Sequence, residues 1–162
     1  MKDSSLLELL VPLCALGAGV VAGAFYAFST FVMRALGKLP PAQGIAAMQS
    51  INVAVINPWF MAALFGTALL CVAVAALAVA AGAPGGGWLA AGSASYVLGT
   101  IGVTIAFNVP RNNALAGLAP SAAGAAAAWS DYLAGWTFWN HVRTAAAIAA
   151  CAAFILAFRA GA

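Results

Sequence analysis

Four long apolar runs, separated by short stretches holding nearly all the polar side chains, set the pattern of this chain. No charge falls between Glu8 and Arg34, a stretch longer than the roughly 20 residues that cross a bilayer as a helix. It predicts a first spanning helix over 6–33. The runs 59–81, 88–107 and 137–158 predict three more. Between the first two, Ile45, Met48, Ile51 and Val55 recur every three to four residues, with Gln43, Gln49, Ser50 and Asn52 elsewhere. That is an amphipathic helix over 42–56, too short to span and suited to the interface. An alanine-rich stretch, 121–135, follows Pro120, with Ser121 as a suitable N-cap. It predicts a second interfacial helix, or an extension of the last span. The predicted fold is all-α: one integral membrane domain over 1–162, a four-helix bundle with two short interfacial helices.

The punctuation agrees with this division. Pro40-Pro41 stops the first helix, Asn57-Pro58-Trp59 opens the second span, and Gly82–Gly87 is a tight, uncharged turn. Asn108-Val-Pro110-Arg111-Asn112-Asn113 reads as a polar connection. Ala15, Gly19, Gly23 and Ala27 form a small-residue stripe at spacing four that would let another helix approach closely. The rival for the first run is a signal peptide, because Ala22-Gly23-Ala24 resembles a cleavage site. Asp3 and Glu8 spoil the positive start such a peptide needs, and the apolar run continues past the site. The two halves are loosely alike, Arg34…Pro40…Asn57-Pro-Trp59 against Arg111…Pro120…Trp139-Asn140-His141, as in a weak parallel repeat.

Composition explains where so apolar a chain can exist. Of its 162 residues 65% are hydrophobic and 6% charged, against about a quarter charged in soluble domains. The bilayer is therefore the solvent and the first partner. The net charge of +3 includes no basic cluster, which argues against nucleic acid. Four spans put both termini on one side. Arg34, Lys38 and Arg111 then bias the polar loops toward the cytoplasm of a multi-pass protein, as expected in a bacterial inner membrane. Cys14, Cys71 and Cys151 are dispersed in apolar runs and read as small core residues. With one histidine in the chain, no structural zinc site is legible and a haem held by two histidines of one chain is excluded.

The remaining polar residues collect at one membrane edge. Trp136, Asn140 and Arg143 stand at spacings of four and three, so they share a helix face. Thr137, His141 and Thr144 occupy the neighbouring one. Tyr96, Thr100, Thr104 and Asn108 make a polar line at spacing four, and Asn52, Asn57, Trp59 and Tyr26 fall near the same edge. Each has an ordinary reading: threonines back-bond to their own helix, tryptophans form an interfacial belt, asparagines tie helix ends, and Arg143 snorkels or pairs with Asp131. The functional reading is a pocket between the helices opening at this edge. There His141 has a direct role, Arg143 holds an anionic oxygen, and Trp59, Trp136 and Trp139 wall a flat ring.

Several motifs together resemble the anthrone oxygenase family: Phe25-Tyr-Ala-Phe-Ser-Thr-Phe-Val-Met-Arg34, Ala47-Met-Gln-Ser-Ile-Asn52, Ile56-Asn-Pro-Trp59, Phe107-Asn-Val-Pro-Arg-Asn-Asn113 and Trp136-x-x-Trp-Asn-His-Val-Arg143. The resemblance implies a small four-helix membrane protein that oxidises an anthrone, or a related flat lipophilic aromatic, with O2. Its catalytic residues would be His141 as base and Arg143 and Asn140 as oxyanion partners. Asn108, Trp59, Trp136, Trp139, Tyr26, Tyr96, Thr100, Thr104, Asn52 and Asn57 would line the substrate. Scarce ligand residues point to no metal and no cofactor. Two other classes stay open. One is a carrier of a quinone-like molecule. The other is an assembly protein whose Gly19/Gly23 stripe packs on a partner, a second copy of the chain included.

Overall fold

The computed structural model describes residues 2–161; Met1 and Ala162, the ends of the expected 1–162 domain, lie outside the described residues. Every regular element among the described residues is a helix. Helix α1 runs through Lys2–Ala27, a π-helical segment Phe28–Val32, and Met33–Leu36. Helix α2 is Pro41–Ala54, with Pro41 in its first turn, where a missing N–H costs nothing. Helix α3 comprises Pro58–Met61, the π segment Ala62–Gly66, and Thr67–Ala81. Its start is capped by Asn57, whose Oδ1 accepts from Phe60 N at 3.0 Å. Helix α4 comprises Gly86–Ala94, two π segments (Ser95–Gly102 and Thr104–Asn108) and Val109–Ala116. Helix α5 is a single α-helix, Ala125–Arg159.

Four of these, Leu6–Leu36, Pro58–Ala81, Gly86–Ala116 and Ala125–Arg159, are long and apolar enough to cross a membrane. The protein is an all-α, multi-pass helical bundle. Helix α5 packs along α1 on one side and α4 on the other, and α3 closes the ring against both. Burial by this ring sorts the side chains into two cores. The larger joins Leu7, Val11, Cys14 and Val21 of α1 to Leu64, Cys71 and Val74 of α3, Leu89 and Tyr96 of α4, and Phe154 of α5. The smaller lies at the end carrying α2 and joins Met33, Ile45 and Met48 to Leu115, Trp129, Tyr132 and Trp136.

Two boundaries differ from the pattern of apolar runs. Residues 121–135 are not a separate interfacial helix: from Ala125 they are the beginning of α5, and Ser121 lies in the turn before it, with Gly124 as the N-cap residue. Nothing between Ala125 and Arg159 breaks the helix, so its 35 residues extend about 52 Å, well beyond a hydrocarbon core of about 30 Å. Helix α2 packs on this overhang, burying Ile45 and Met48. Likewise Asn108–Asn113 is not a loop but the continuation of α4. Pro110 is tolerated at the start of the α-helical piece that follows the last π segment. That piece ends under Gln49 of α2, whose Nε2 donates to the carbonyls of Leu115 at 2.8 Å and of Leu118, just past the helix end, at 2.9 Å.

Of the expected pair, Gly19 meets Cys151 of α5, where an added Cβ would stand 3.5 Å from its Sγ, but the tightest approaches use other glycines. A Cβ on Gly99 would stand 2.5 Å from the Ala146 Cβ, and Gly17 of α1 abuts Thr67 of α3. Gly23, by contrast, has nothing within 4 Å.

Candidate functional site

Helix α5 is unbroken, and it brings Trp136, Asn140, Arg143 and Thr144 into the bundle on one face. The Asn140 side chain is fully buried and hydrogen-bonded on both ends. Its Nδ2 donates to Phe25 O at 2.8 Å and to Ser29 Oγ at 2.7 Å. Its Oδ1 accepts from Arg143 Nε at 2.9 Å. Thr144 Oγ1 donates to Asn140 O at 2.6 Å and lies 3.1 Å from Ser29 Oγ. The Arg143 Nη1 donates to Thr104 Oγ1 at 3.2 Å, while Thr104 donates in turn to Thr100 O at 2.7 Å. The guanidinium carbon stands 3.8 Å from the Phe25 ring centroid and 5.0 Å from that of Trp136.

Arg143 is 6% exposed, and every one of these partners is neutral. The chain holds three carboxylates. Asp131 is twelve residues earlier on α5, about 18 Å along the axis. Asp3 and Glu8 belong to the far end of α1, about 25 Å or more before Phe25. Burying a cation without a counter-charge costs several kcal/mol. Hydrogen bonds to charged groups, worth about 1.5–3 kcal/mol each, and the two ring contacts offset part of this. A guanidinium has five N–H donors, and among the described residues its Nη2 finds no hydrogen-bond partner. The cluster is thus a cation with spare donors in an aromatic, water-poor setting, which suits an anionic oxygen.

The π segments converge on this place. Ser29 sits in the π segment of α1, and Thr100, Thr104 and Asn108 sit in those of α4. Widened turns of this kind weaken the backbone ladder and recur at functional sites. Asn108 is 1% exposed, donates from Nδ2 to Trp136 O at 3.1 Å, and leaves its Oδ1 with no partner.

Of the residues singled out from the sequence, Asn140, Arg143, Thr100, Thr104, Asn108 and Trp136 come together here. Trp139 is near but engaged otherwise, stacked on Phe107 with ring centroids 3.5 Å apart. His141 is exposed and does not border the cluster. Two residues on a helix subtend about 200°, so His141 and Arg143 point to opposite sides of α5, and the shared pocket expected for them is not formed. Trp59 is 88% exposed and Tyr26 56%, which removes both from the wall of an internal site. Asn57 is consumed in capping α3. Tyr96 is buried one turn before Thr100, donating to Leu64 O at 3.1 Å. Asn52 belongs to the α2 platform, its buried Nδ2 unpartnered. Three contributors were not anticipated, Phe25, Ser29 and Tyr132, while Asn112 was expected only as one of the polar residues at this edge. Asn112 Oδ1 accepts from both Trp136 Nε1 at 2.8 Å and Tyr132 OH at 2.9 Å. Ser29 was discoverable as a polar residue one turn after Phe25 within an apolar run. Two surface hollows, one beside Arg111 and one between α1 and α5 at Gly19, are lined by neither Asn140 nor Arg143.

Fold and cluster together define a small multi-pass helical bundle with an unneutralised arginine in its interior. Residues 57–153, more than half of the chain, match the family model described as anthrone oxygenase, and the chain belongs to that family. The match takes in α3, α4 and α5 as far as Ala153, and with them Thr104, Asn108, Asn140 and Arg143. No curated protein and no solved structure matches the chain.

Proposed function

We propose that this protein oxidises an anthrone-type flat aromatic to the corresponding quinone with O2, in a bacterial inner membrane and without metal or organic cofactor. Arg143 carries this reading: a buried guanidinium with neutral partners only and donors to spare. An anthrone CH2 lies para to a carbonyl across the ring system. Loss of one CH2 proton gives an enolate whose charge sits largely on that oxygen. Arg143 would hold this oxygen more tightly than the neutral ketone, which lowers the barrier to proton loss. Asn140, locked by its bonds to Phe25 and Ser29, acts as a positioning residue that aims Arg143.

The enolate is electron-rich enough to pass an electron to O2. Recombination of the resulting radical pair forms a carbon–peroxide bond. Protonation and loss of one water from that carbon leave a carbonyl, so CH2 and O2 become C=O and H2O. The CH2 proton released in the first step is returned when the peroxide is protonated, so the reaction has no net proton acceptor, and His141, which faces away from Arg143, is given no part in it.

Oxygen uptake by purified protein given anthrone, with formation of the anthraquinone, tests the proposal. Arg143→Gln should lower kcat/KM by about 10²–10³, as loss of an oxyanion donor does elsewhere, and a chelator should change nothing. Binding of the aromatic without oxygen uptake would replace the enzyme with a carrier. Loss of turnover on metal removal would end the cofactor-independent mechanism.

A further inference from the structure

Arg143 and Asn140 are 6% and 0% exposed, and neither lines the two surface hollows. A ligand reaches them only where two helices part. The end of the bundle beneath α2 is plugged. Trp129, Tyr132 and Trp136 stack in sequence with centroids 5.6 and 6.3 Å apart, and Asn112 pins the last two rings. The opposite end is filled by the larger core, with Val21, Tyr96 and Phe154 fully buried. What remains is a lateral way in, from the lipid.

The two seams beside Arg143 are held differently. On the α1 side, Asn140 Nδ2 donates to Phe25 O at 2.8 Å and Ser29 Oγ at 2.7 Å, and Thr144 Oγ1 lies 3.1 Å from the same hydroxyl. On the α4 side, Arg143 Nη1 donates to Thr104 Oγ1 at 3.2 Å, Asn108 Nδ2 to Trp136 O at 3.1 Å, and Thr100 Oγ1 to Arg143 O at 3.5 Å. The favoured lengths are about 2.9–3.0 Å for N–H···O and about 2.7–2.8 Å for O–H···O, so the α4 bonds are long. All three α4 residues also sit in π segments. The α4 seam is the weaker one.

One turn from the Thr104–Arg143 contact, the outer edge of this seam is closed by Phe107 and Trp139, their rings 3.5 Å apart and 4° from parallel. Both are half-buried, and Ile105, Val109 and Phe138 beside them are exposed. Two stacked rings separate without leaving a polar group unpaired, as parting Asn140 from Ser29 would do. On one side of the stack Gly99 packs directly on Ala146, and Ser95 Oγ donates to Ala146 O at 2.9 Å. On the other, Gln49 ties the end of α4 to α2. Helix α4 is thus fixed at two points and free to bow between them. We infer that the α4–α5 seam is a lateral port, and that the Phe107–Trp139 stack is the gate that sets how large a lipid-dissolved molecule reaches Arg143. What passes through rests on the proposed reaction, whereas the route rests on the packing alone.

The test places Thr104→Cys behind the stack, in full-length protein in lipid nanodiscs. Labelling by N-phenylmaleimide, an uncharged lipid-soluble reagent, is read from peptide masses, with the buried native Cys71 as internal control. Adding Phe107→Ala or Trp139→Ala should speed labelling at position 104 at least tenfold and leave Cys71 as it was. Phe28→Ala, which removes the ring tilted on Trp136 from the α1 side, should change nothing there. Trp139→Phe, which keeps a stacking ring, should label like the parent reporter. In the otherwise native chain, Trp139→Ala should raise kcat/KM for 2-tert-butylanthrone at least fivefold relative to anthrone. Equal rates in all variants, acceleration by Phe28→Ala alone, or equal acceleration at Cys71 would overturn the port. Labelling that follows the expected pattern without oxygen uptake would keep the port and remove the oxidase. Oxygen uptake with unchanged labelling would keep the oxidase and remove the port.

Discussion

Replacing Thr104 by aspartate asks whether the charge on Arg143 is held in reserve. Thr104 Oγ1 lies 3.2 Å from Arg143 Nη1, so an aspartate there sets a carboxylate beside the guanidinium. At about 4 Å and an effective dielectric near 20, the pair attracts by about 4 kcal/mol. An enolate oxygen must then compete with a resident anion. Since about 1.4 kcal/mol corresponds to a tenfold change, the oxyanion contribution of Arg143 could fall by up to about 10³. Desolvation of the new carboxylate reduces the net gain in stability, so the variant should melt at or somewhat above the parent temperature. Thr104→Asn, similar in size and uncharged, separates charge from shape and should retain most of the activity. The assay is oxygen uptake with anthrone, alongside thermal unfolding in detergent. Full activity in Thr104→Asp would refute the reasoning, because a cation already neutralised from within has nothing left for a substrate.

His141→Ala should leave kcat/KM and its pH profile unchanged in the same assay, as the imidazole lies on the side of α5 away from Arg143. Trp136→Phe removes the indole donor to Asn112 and should lower stability by about 1 kcal/mol, read from denaturant unfolding; no change would mean that Tyr132 alone satisfies Asn112. Gly99→Val places atoms where Ala146 already sits and should cost about 1–3 kcal/mol or more, whereas Gly23→Ala should cost nothing, both measured as shifts in melting temperature.

The spanning helices were legible because lipid exposure demands long apolar runs, and α2 because proline and asparagine mark both its ends. The common face of Trp136, Asn140 and Arg143 followed from helical spacing alone. The same spacing argued against grouping His141 with Arg143, and nearness in sequence outweighed it. The breaks in pattern were harder. Asn108–Asn113 looks like a loop by composition, yet α4 runs through it, because π segments upstream set its register and carry no recognisable signature in one sequence. The role of Ser29 required knowing that α1 lies beside α5. Trp59 sits in a motif-like junction, but only the packing of α2 and α3 determines that its ring faces outward.

The widened turns of α4 have a consequence for how the chain tolerates change in length. A π turn closes its hydrogen bond one residue later than an α turn, so it stores a removable residue. Deleting one residue from Ser95–Gly102 would let that stretch relax to ordinary α geometry, the loss being absorbed by the widened turn. Thr104 and Asn108 would keep their face toward α5, whereas the same deletion from an ordinary α turn would rotate them by about 100° and part Thr104 from Arg143.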